Sequence, residues 1–194
     1  MKRLRLLGTG LIGALLLALL VWSAPLSGQS VSSQLRLQLS IIDQLAVGLT
    51  TVTVPFDKDY TQLLSSGTGA NQANAMYQAS RTLAASATEN LDLNASLTDV
   101  HGQSVTCTKL KALVIKAAAS NTNTVLVGGG ATTVTTLFTN SNDQLIVRPG
   151  GVFIFTAPDA TGAAVTAGAT VLLVVMDGSS GTAVTYDVVV LCVE

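Results

Sequence analysis

Charge is scarce in this chain. Of 194 residues, 10 are Lys or Arg and 11 are Asp or Glu, so charged residues make up 11% against 48% hydrophobic, well below the ordinary charged fraction. Aromatics are 4%, the single Trp is Trp22, His101 is the only histidine, and there are two cysteines. Each shortage excludes something. Binding nucleic acid through phosphates needs clustered cations. The one small group here, Lys109, Lys111 and Lys116, reads as a solvated face or a protected edge of a strand. Carbohydrate and single-strand binding need aromatic platforms. Phe56, Tyr60, Tyr77, Phe138, Phe153, Phe155 and Tyr186 are too few and mostly strand-embedded. Two cysteines do not make a four-ligand zinc site. Cys107 and Cys192 lie in apolar runs and suit two buried thiols or one disulfide equally well.

Reactive constellations are also missing. A Ser-His-Asp hydrolase would need His101 as base with Asp99 or Asp143 orienting it, but no G-x-S-x-G elbow exposes a nucleophile. His101, in "TDVHGQS", reads as a polar turn residue. "VGGGATT" (Gly128, Gly129, Gly130) does not continue into the Gly-Lys-Ser/Thr of a phosphate loop. Those glycines, like Gly67 and Gly69, suit unusual dihedrals or close backbone approach. Asp57 and Asp59 lack the rest of a calcium loop. Glu89 and Asp92 do not stand out as a glycosidase pair. Asn94-Ala95-Ser96 matches a glycosylation acceptor, a pattern too short to decide anything. No catalytic, cofactor-binding or metal-binding residue is assigned, and no cofactor is expected.

The chain starts "MKRLRLLGTGLIGALLLALLVWSAPLSGQS". Cations, then an apolar run from Leu6 to Trp22, then small polar residues follow the order of a secretory signal, in a run short for a full span but compatible with an uncleaved anchor. Cleavage after Gly28 would remove 28 of 194 residues and three of ten cations. The remainder would carry a net charge of about −4. Next, Leu35, Leu37 and Leu39 alternate with Gln34, Arg36, Gln38 and Ser40, the period of a half-buried strand. "IIDQLAV" fits a helical turn or more strand, and "TTVTVPF" is a strand ended by Pro55. From Val105 onward the chain reads as β throughout. Pro149-Gly150-Gly151 predicts a tight reversal. "ATVLLVVMDGSSGTAVTYDVVVLCVE" predicts a hairpin around "DGSSG". In its last strand Val184, Tyr186, Val188, Val190 and Cys192 form the better core face. The opposite face turns apolar towards Leu191, which predicts cover there from a neighbouring subunit.

The stretch from Ser66 to Leu93 is the hardest to place. Alanine content favours helix, and Ser86-Ala87-Thr88-Glu89 matches a capping box. Yet Leu91 and Leu93 alternate with Asn90, Asp92 and Asn94, and no apolar run at helical spacing follows. The pattern predicts a glycine-marked loop at Ser65–Asn74, then strands at Met76–Ala84 and Thr88–Leu93. Tyr77, Ala79 and Leu83 would face the core, with Arg81 as the exception.

"GTGANQAN" at 67–74, Arg81-Thr82-Leu83, Leu91-Asp92-Leu93, Leu97-Thr98-Asp99, Pro149-Gly150-Gly151 and Val184-Thr185-Tyr186-Asp187 occur in an order that resembles a family of small virion structural proteins of tailed bacteriophages. The resemblance covers about Gly67 to Leu191. It implies a β-sandwich particle component of capsid decoration, cement or fibre type, located in the virion, and it carries over no catalytic residues. The leader departs from it, because such proteins assemble without export. An upstream start, an exported cellular relative, or a segment inserted in a membrane or packed in an assembly would each account for it.

The expected architecture is all-β: an antiparallel, jelly-roll-like sandwich of about eight strands. A signal-like apolar helix or anchor would occupy 1–28, a β-arm and loop 29–74, and the sandwich 75–194. Exposed edges with few charges to blunt them predict self-association into a homo-oligomer; the resemblance implies a trimer as first expectation, and other virion proteins as partners. No nucleic-acid partner is expected, and membrane contact only through the leader. The alternative is an exported bacterial surface or filament-forming β-sandwich, secreted or at the cell surface. A secreted hydrolase or carbohydrate-binding module is the weakest reading.

Overall fold

The computed structural model describes residues 30–194 except 96, 131–133, 135–136, 139 and 169–171, and describes no side chain for Val47, Leu172 or Val174. The leader 1–28, with its expected helix, lies outside the described residues. The described chain contains no helix and is all-β, with several antiparallel sheets.

In chain order the first strands are β1 (Ser33–Val47), β2 (Thr50–Ser66), β3 (Gln72–Ala73), β4 (Ala75–Leu83) and β5 (Thr88–Asp92). Then come β6 (Leu97–Thr98), β7 (Ser104–Val105), β8 (Lys109–Ala117), β9 (Val125–Gly128) and β10 (Gln144–Val147). The last are β11 (Val152–Thr156), β12 (Ala163–Ala164), β13 (Leu172–Asp177) and β14 (Val184–Val193). One sheet has the order β10-β9-β13-β5 and a second β11-β8-β14-β4, with β12 also on β8. β1, β2 and β3 form a sheet of their own, and β6 pairs with β7.

The two larger sheets share one core. Val184, Tyr186, Val188, Val190 and Cys192 are all buried, as alternation along β14 predicts. They meet Leu91, Val125, Val127, Leu173 and Val175 from the opposite sheet in a single cluster. β4 and β5 replace the helix that alanine content favoured, within one residue of the expected bounds. Tyr77, Leu83, Leu91 and Leu93 point inward. The capping-box match is instead a turn, in which Ala87 N donates to Ala84 O at 2.9 Å and Ser86 takes a positive φ of 61°. Cys107 and Cys192, left open between two states, form a disulfide with Cα atoms 5.6 Å apart, closing 85 residues of chain.

Several expectations are corrected. β13 and β14 do not form a hairpin, because they belong to different sheets. Both strands turn apolar residues toward the same core, so the connection arches over it instead of closing a ladder. Asp177 shapes that arch: its Oδ1 accepts from Ser179 N at 3.0 Å and from Asn123 Nδ2 at 2.9 Å. The Pro149-Gly150 turn is tight as predicted, with Gly151 N donating to Arg148 O at 2.8 Å and Gly150 at φ 76°. It too hands the chain from one sheet to the other, β10 to β11.

Pro55 does not end its strand. It sits within β2 opposite Ile42. β2 pairs on its far side only at Ser65 and Ser66, so at Pro55 that edge is open and a missing N–H is tolerated. "IIDQLAV" is strand, not a helical turn. The apolar end of the outer β14 face is covered by the chain itself and not by a neighbouring subunit. Leu191 packs with Ala112, Val31, Leu64 and Ala73, flanked by Leu35 and Met76.

Candidate functional site

The feature that sets this molecule apart is the β1–β2 hairpin. Its fifteen-pair register runs from Ser33–Leu64 to Val47–Thr50. Directly opposed residues share a face of an antiparallel ribbon, so the register sorts the side chains. One face carries Leu35, Leu37, Leu39, Ile41 and Leu45 from β1, with Tyr60, Phe56, Val54 and Val52 from β2. The other is mixed: Gln34, Arg36, Gln38, Ser40 and Gln44 with Thr61, Asp59, Asp57, Thr53 and Thr51, interrupted by Leu63, Ile42, Pro55 and Ala46.

The polar face is tied by cross-strand contacts. Arg36 Nη2 donates to Asp59 Oδ2 at 2.8 Å, and Ser40 Oγ to Asp57 Oδ1 at 2.7 Å. Asp57 and Asp59, which lacked a calcium loop, are therefore occupied as ribbon partners. Being solvent-exposed, these contacts contribute little stability. They satisfy the charges of this side, which also exposes Ile42 and Leu63.

The apolar face has no such resolution. Only its base is covered, where Leu64 and Leu35 join Leu191 and Ala112 on the outer face of the β8–β14 sheet. Beyond that, Ile41 is 51% exposed, Phe56 53% and Leu45 65%, with Leu37, Val52, Val54 and Tyr60 in the same state. Of fourteen exposed large hydrophobic residues among those described, seven lie on this one face, while Ile42 and Leu63 lie on the opposite face and Leu49 at the tip. Scattered apolar residues on a surface are ordinary, but a contiguous face of this kind marks an interaction surface. Phe56 and Tyr60 are the arm's aromatics, four residues apart along β2 and so not a stacking platform.

A second constellation lies between the two sheets at the edge formed by β4 and β5. Arg81 and Glu89 both point inward and form an ion pair, with Arg81 Nε donating to Glu89 Oε2 at 3.2 Å. Tyr186 Oη donates to the same Glu89 oxygen at 3.0 Å. The cleft there, about 390 Å³, is lined by Tyr77, Arg81, Glu89 and Leu97 among others. Burial pushes the Tyr186 hydroxyl up to about 12, against the opposing pull of Arg81. Inward-pointing charges on two edge strands are a known means of blocking edge-to-edge pairing. Alternation along the strand showed Arg81 as its exception. Its partner was not visible, because Glu89 is distant until the chain folds between sheets.

Lys111 corrects the expectation of a solvated lysine face. It is fully buried, whereas Lys116 is exposed. Leu191 opposes Ala112 and Cys192 opposes Leu110, so Lys111 is the extra residue of a β-bulge. A bulge re-aims its side chain. Lys111 Nζ donates to Gly69 O at 3.2 Å and to Asp159 O, joining the loop beneath the arm to the β11–β12 connection. Burial lowers its affinity for the proton, while Asp159 opposes that shift.

The remaining candidates stay apart. His101 is exposed in a turn. Asp99 Oδ1 accepts from the backbone N–H of His101 (2.8 Å) and Gln103 (2.7 Å), which shapes the turn and does not orient the imidazole. Asp143 Oδ2 accepts from Asn140 N at 2.9 Å. Gly128, at φ 101°, leaves room for Asp143 O, which an added Cβ would meet at 2.5 Å, so the expected close approach is present. Asn94 donates through Nδ2 to Cys107 O at 2.9 Å, and Ser96 of the glycosylation pattern lies outside the described residues. Among the described residues no group of three or more His, Cys, Asp and Glu is placed to hold a metal, and no helix is long and apolar enough to cross a membrane.

Comparison of the chain with protein families, curated proteins and solved structures finds no match.

Proposed function

We propose that this chain is a non-enzymatic structural protein of a tailed-bacteriophage particle, a capsid decoration, cement or fibre component that assembles through sheet faces and edges. The observation that carries this is the arm, a long ribbon whose apolar face is uncovered beyond its base. A two-stranded ribbon is marginal alone in water, so a partner surface would complete it.

The strand order supports a jelly-roll form of the sandwich. β4, β5, β8 and β9 run outward, and β10, β11, β13 and β14 return. The antiparallel partners are then β9·β10, β8·β11, β5·β13 and β4·β14. Rolling such a ribbon adds β8·β14 and β9·β13. This pairing scheme fits the eight-stranded form found in capsid and lectin domains. Fold alone does not select a function, so the arm and the resemblance of the Gly67–Leu191 motifs bear more weight. Light scattering on the purified full-length protein, with electron micrographs of the product, tests the reading. Defined assemblies are expected; a stable monomer at micromolar concentration would overturn it.

A second reading is an exported surface or filament-forming protein, with which the Cys107–Cys192 disulfide agrees as it does with a virion surface. Disulfides persist in secreted proteins and on cell and virion surfaces. Subunits would then pair by strand addition at open edges. The intact mass separates the two: a mature terminus near Gln29 supports export, and a retained Met1 opposes it.

A further inference from the structure

We propose that the arm's apolar face docks on the same face of a second copy of this chain, the two ribbons antiparallel about a twofold axis at the Ile41–Phe56 pair. This rests on the assembly reading above and names its partner.

Size is the first argument. The seven uncovered residues of this face leave on the order of 700 Å² of surface, close to the roughly 800 Å² per partner of a stable protein interface. The opposite face, which holds the Arg36–Asp59 and Ser40–Asp57 contacts and only Ile42 and Leu63 as large exposed hydrophobics, would stay outward on both copies.

Charge is the second argument, and it selects the orientation. Successive rows on the apolar face are Leu37/Tyr60, Leu39/Lys58, Ile41/Phe56, Asp43/Val54 and Leu45/Val52. The two charges of this face, Lys58 and Asp43, therefore sit one row to either side of Ile41/Phe56. Neither has an ion-pair partner among the described residues. An antiparallel twofold at the central row sets the Lys58 row of each copy against the Asp43 row of the other, twice. It also sets Leu37/Tyr60 against Leu45/Val52. A parallel twofold, or three arms side by side about a threefold, brings each row onto itself. Asp43 would then meet Asp43 and Lys58 meet Lys58 within an apolar interface, an arrangement that costs affinity. The pattern thus favours an arm-to-arm dimer over the trimer that the resemblance suggested.

The test uses the full chain with a spin label on Leu49→Cys, at the exposed tip of the hairpin. The two native cysteines are bonded to each other, so the new thiol takes the label. Leu49 lies eight positions beyond Ile41. At the strand rise of about 3.3 Å per residue, tips in the antiparallel pair stand roughly 50 Å apart. Electron–electron double resonance should read that distance. Tips within about 20 Å would mean parallel or threefold arms and would overturn the proposal, as would the absence of any dipolar coupling.

Charge exchange gives a second, independent arm. Asp43→Lys and Lys58→Asp should each weaken association by about tenfold, and the double exchange should restore it. Double-exchange protein as weakly associated as the singles would also overturn the pairing. Circular dichroism, together with the intact disulfide, verifies that each variant is folded. If the dimer forms in a protein that enters no particle, the pairing stands and the virion reading falls. If the protein enters particles with tips adjacent, the virion reading stands and the pairing falls.

Discussion

β14 and β1 are both long strands with alternating apolar positions, and they end in opposite conditions. β14 lies between β8 and β4, hydrogen-bonded along both edges. Its inward residues Val184, Tyr186 and Val190 have no exposed surface. β1 is bonded along one edge, and Ile41 on its apolar face is half exposed. Full burial of such a side chain is worth about 1.5–3 kcal/mol, which β14 collects within its own chain and β1 does not. An alternating pattern therefore decides that a segment is a strand. Whether that strand is finished depends on what covers it, and here the cover divides the molecule into a body with its own core and an arm whose apolar face is open beyond its base.

That contrast can be broken most severely from the body side. Replacing both Cys107 and Cys192 by Ala releases a closed segment of 85 residues, for which loop-closure entropy predicts a loss of about 4.5 kcal/mol. The denaturant midpoint should fall sharply with no change in arm-dependent association of the protein that remains folded. Lys111→Ala should cost about 3 kcal/mol, since it removes a buried stem at about 0.8 kcal/mol per CH₂ and leaves the Gly69 and Asp159 carbonyls without their donor. Proteolysis within the loop near Gly69 should rise in parallel.

Alkali gives a smaller, pH-resolved effect. The Tyr186 hydroxyl is held up to about 12 in the fold, while a free tyrosine ionises near 10. The unfolded chain therefore releases its proton first. The contribution of this group is complete below pH 10 and is lost between pH 10 and 12, by about 2–3 kcal/mol. The stability of the wild type relative to Tyr186→Phe should fall by that amount as pH rises through the window. The smallest stability effect belongs to the arm. Ile41→Ser should move the thermal midpoint by no more than the equivalent of about 0.5 kcal/mol in the unassociated protein, because that residue lacks cover.

Much of the body was legible from residues alone. Alternation in Val184–Cys192 and in Leu91–Leu93 identified the core faces, and it overruled alanine's helix propensity between Met76 and Leu93. What was not legible has one common cause: sheet membership is a long-range property. "DGSSG" has the chemistry of a hairpin turn, and nothing local distinguishes that from an arch between sheets. The Lys111 bulge depends on its register with Leu191 and Cys192, eighty residues away in sequence. The Arg81–Glu89 pair needs β4 and β5 on opposite sheets. Pro55 misled because its tolerance depends on an open edge. Leu35, Leu37 and Leu39 did announce an amphipathic strand at the arm; that its apolar face would be left uncovered could not be read from the alternation itself.

The central claim is that the arm's apolar face is the surface of assembly. Sedimentation velocity of the full-length chain beside the Ile41→Ser/Phe56→Ser variant tests it most directly. The account predicts an associated wild type and a monomeric, folded variant at the same concentration. Identical sedimentation of the two would contradict it.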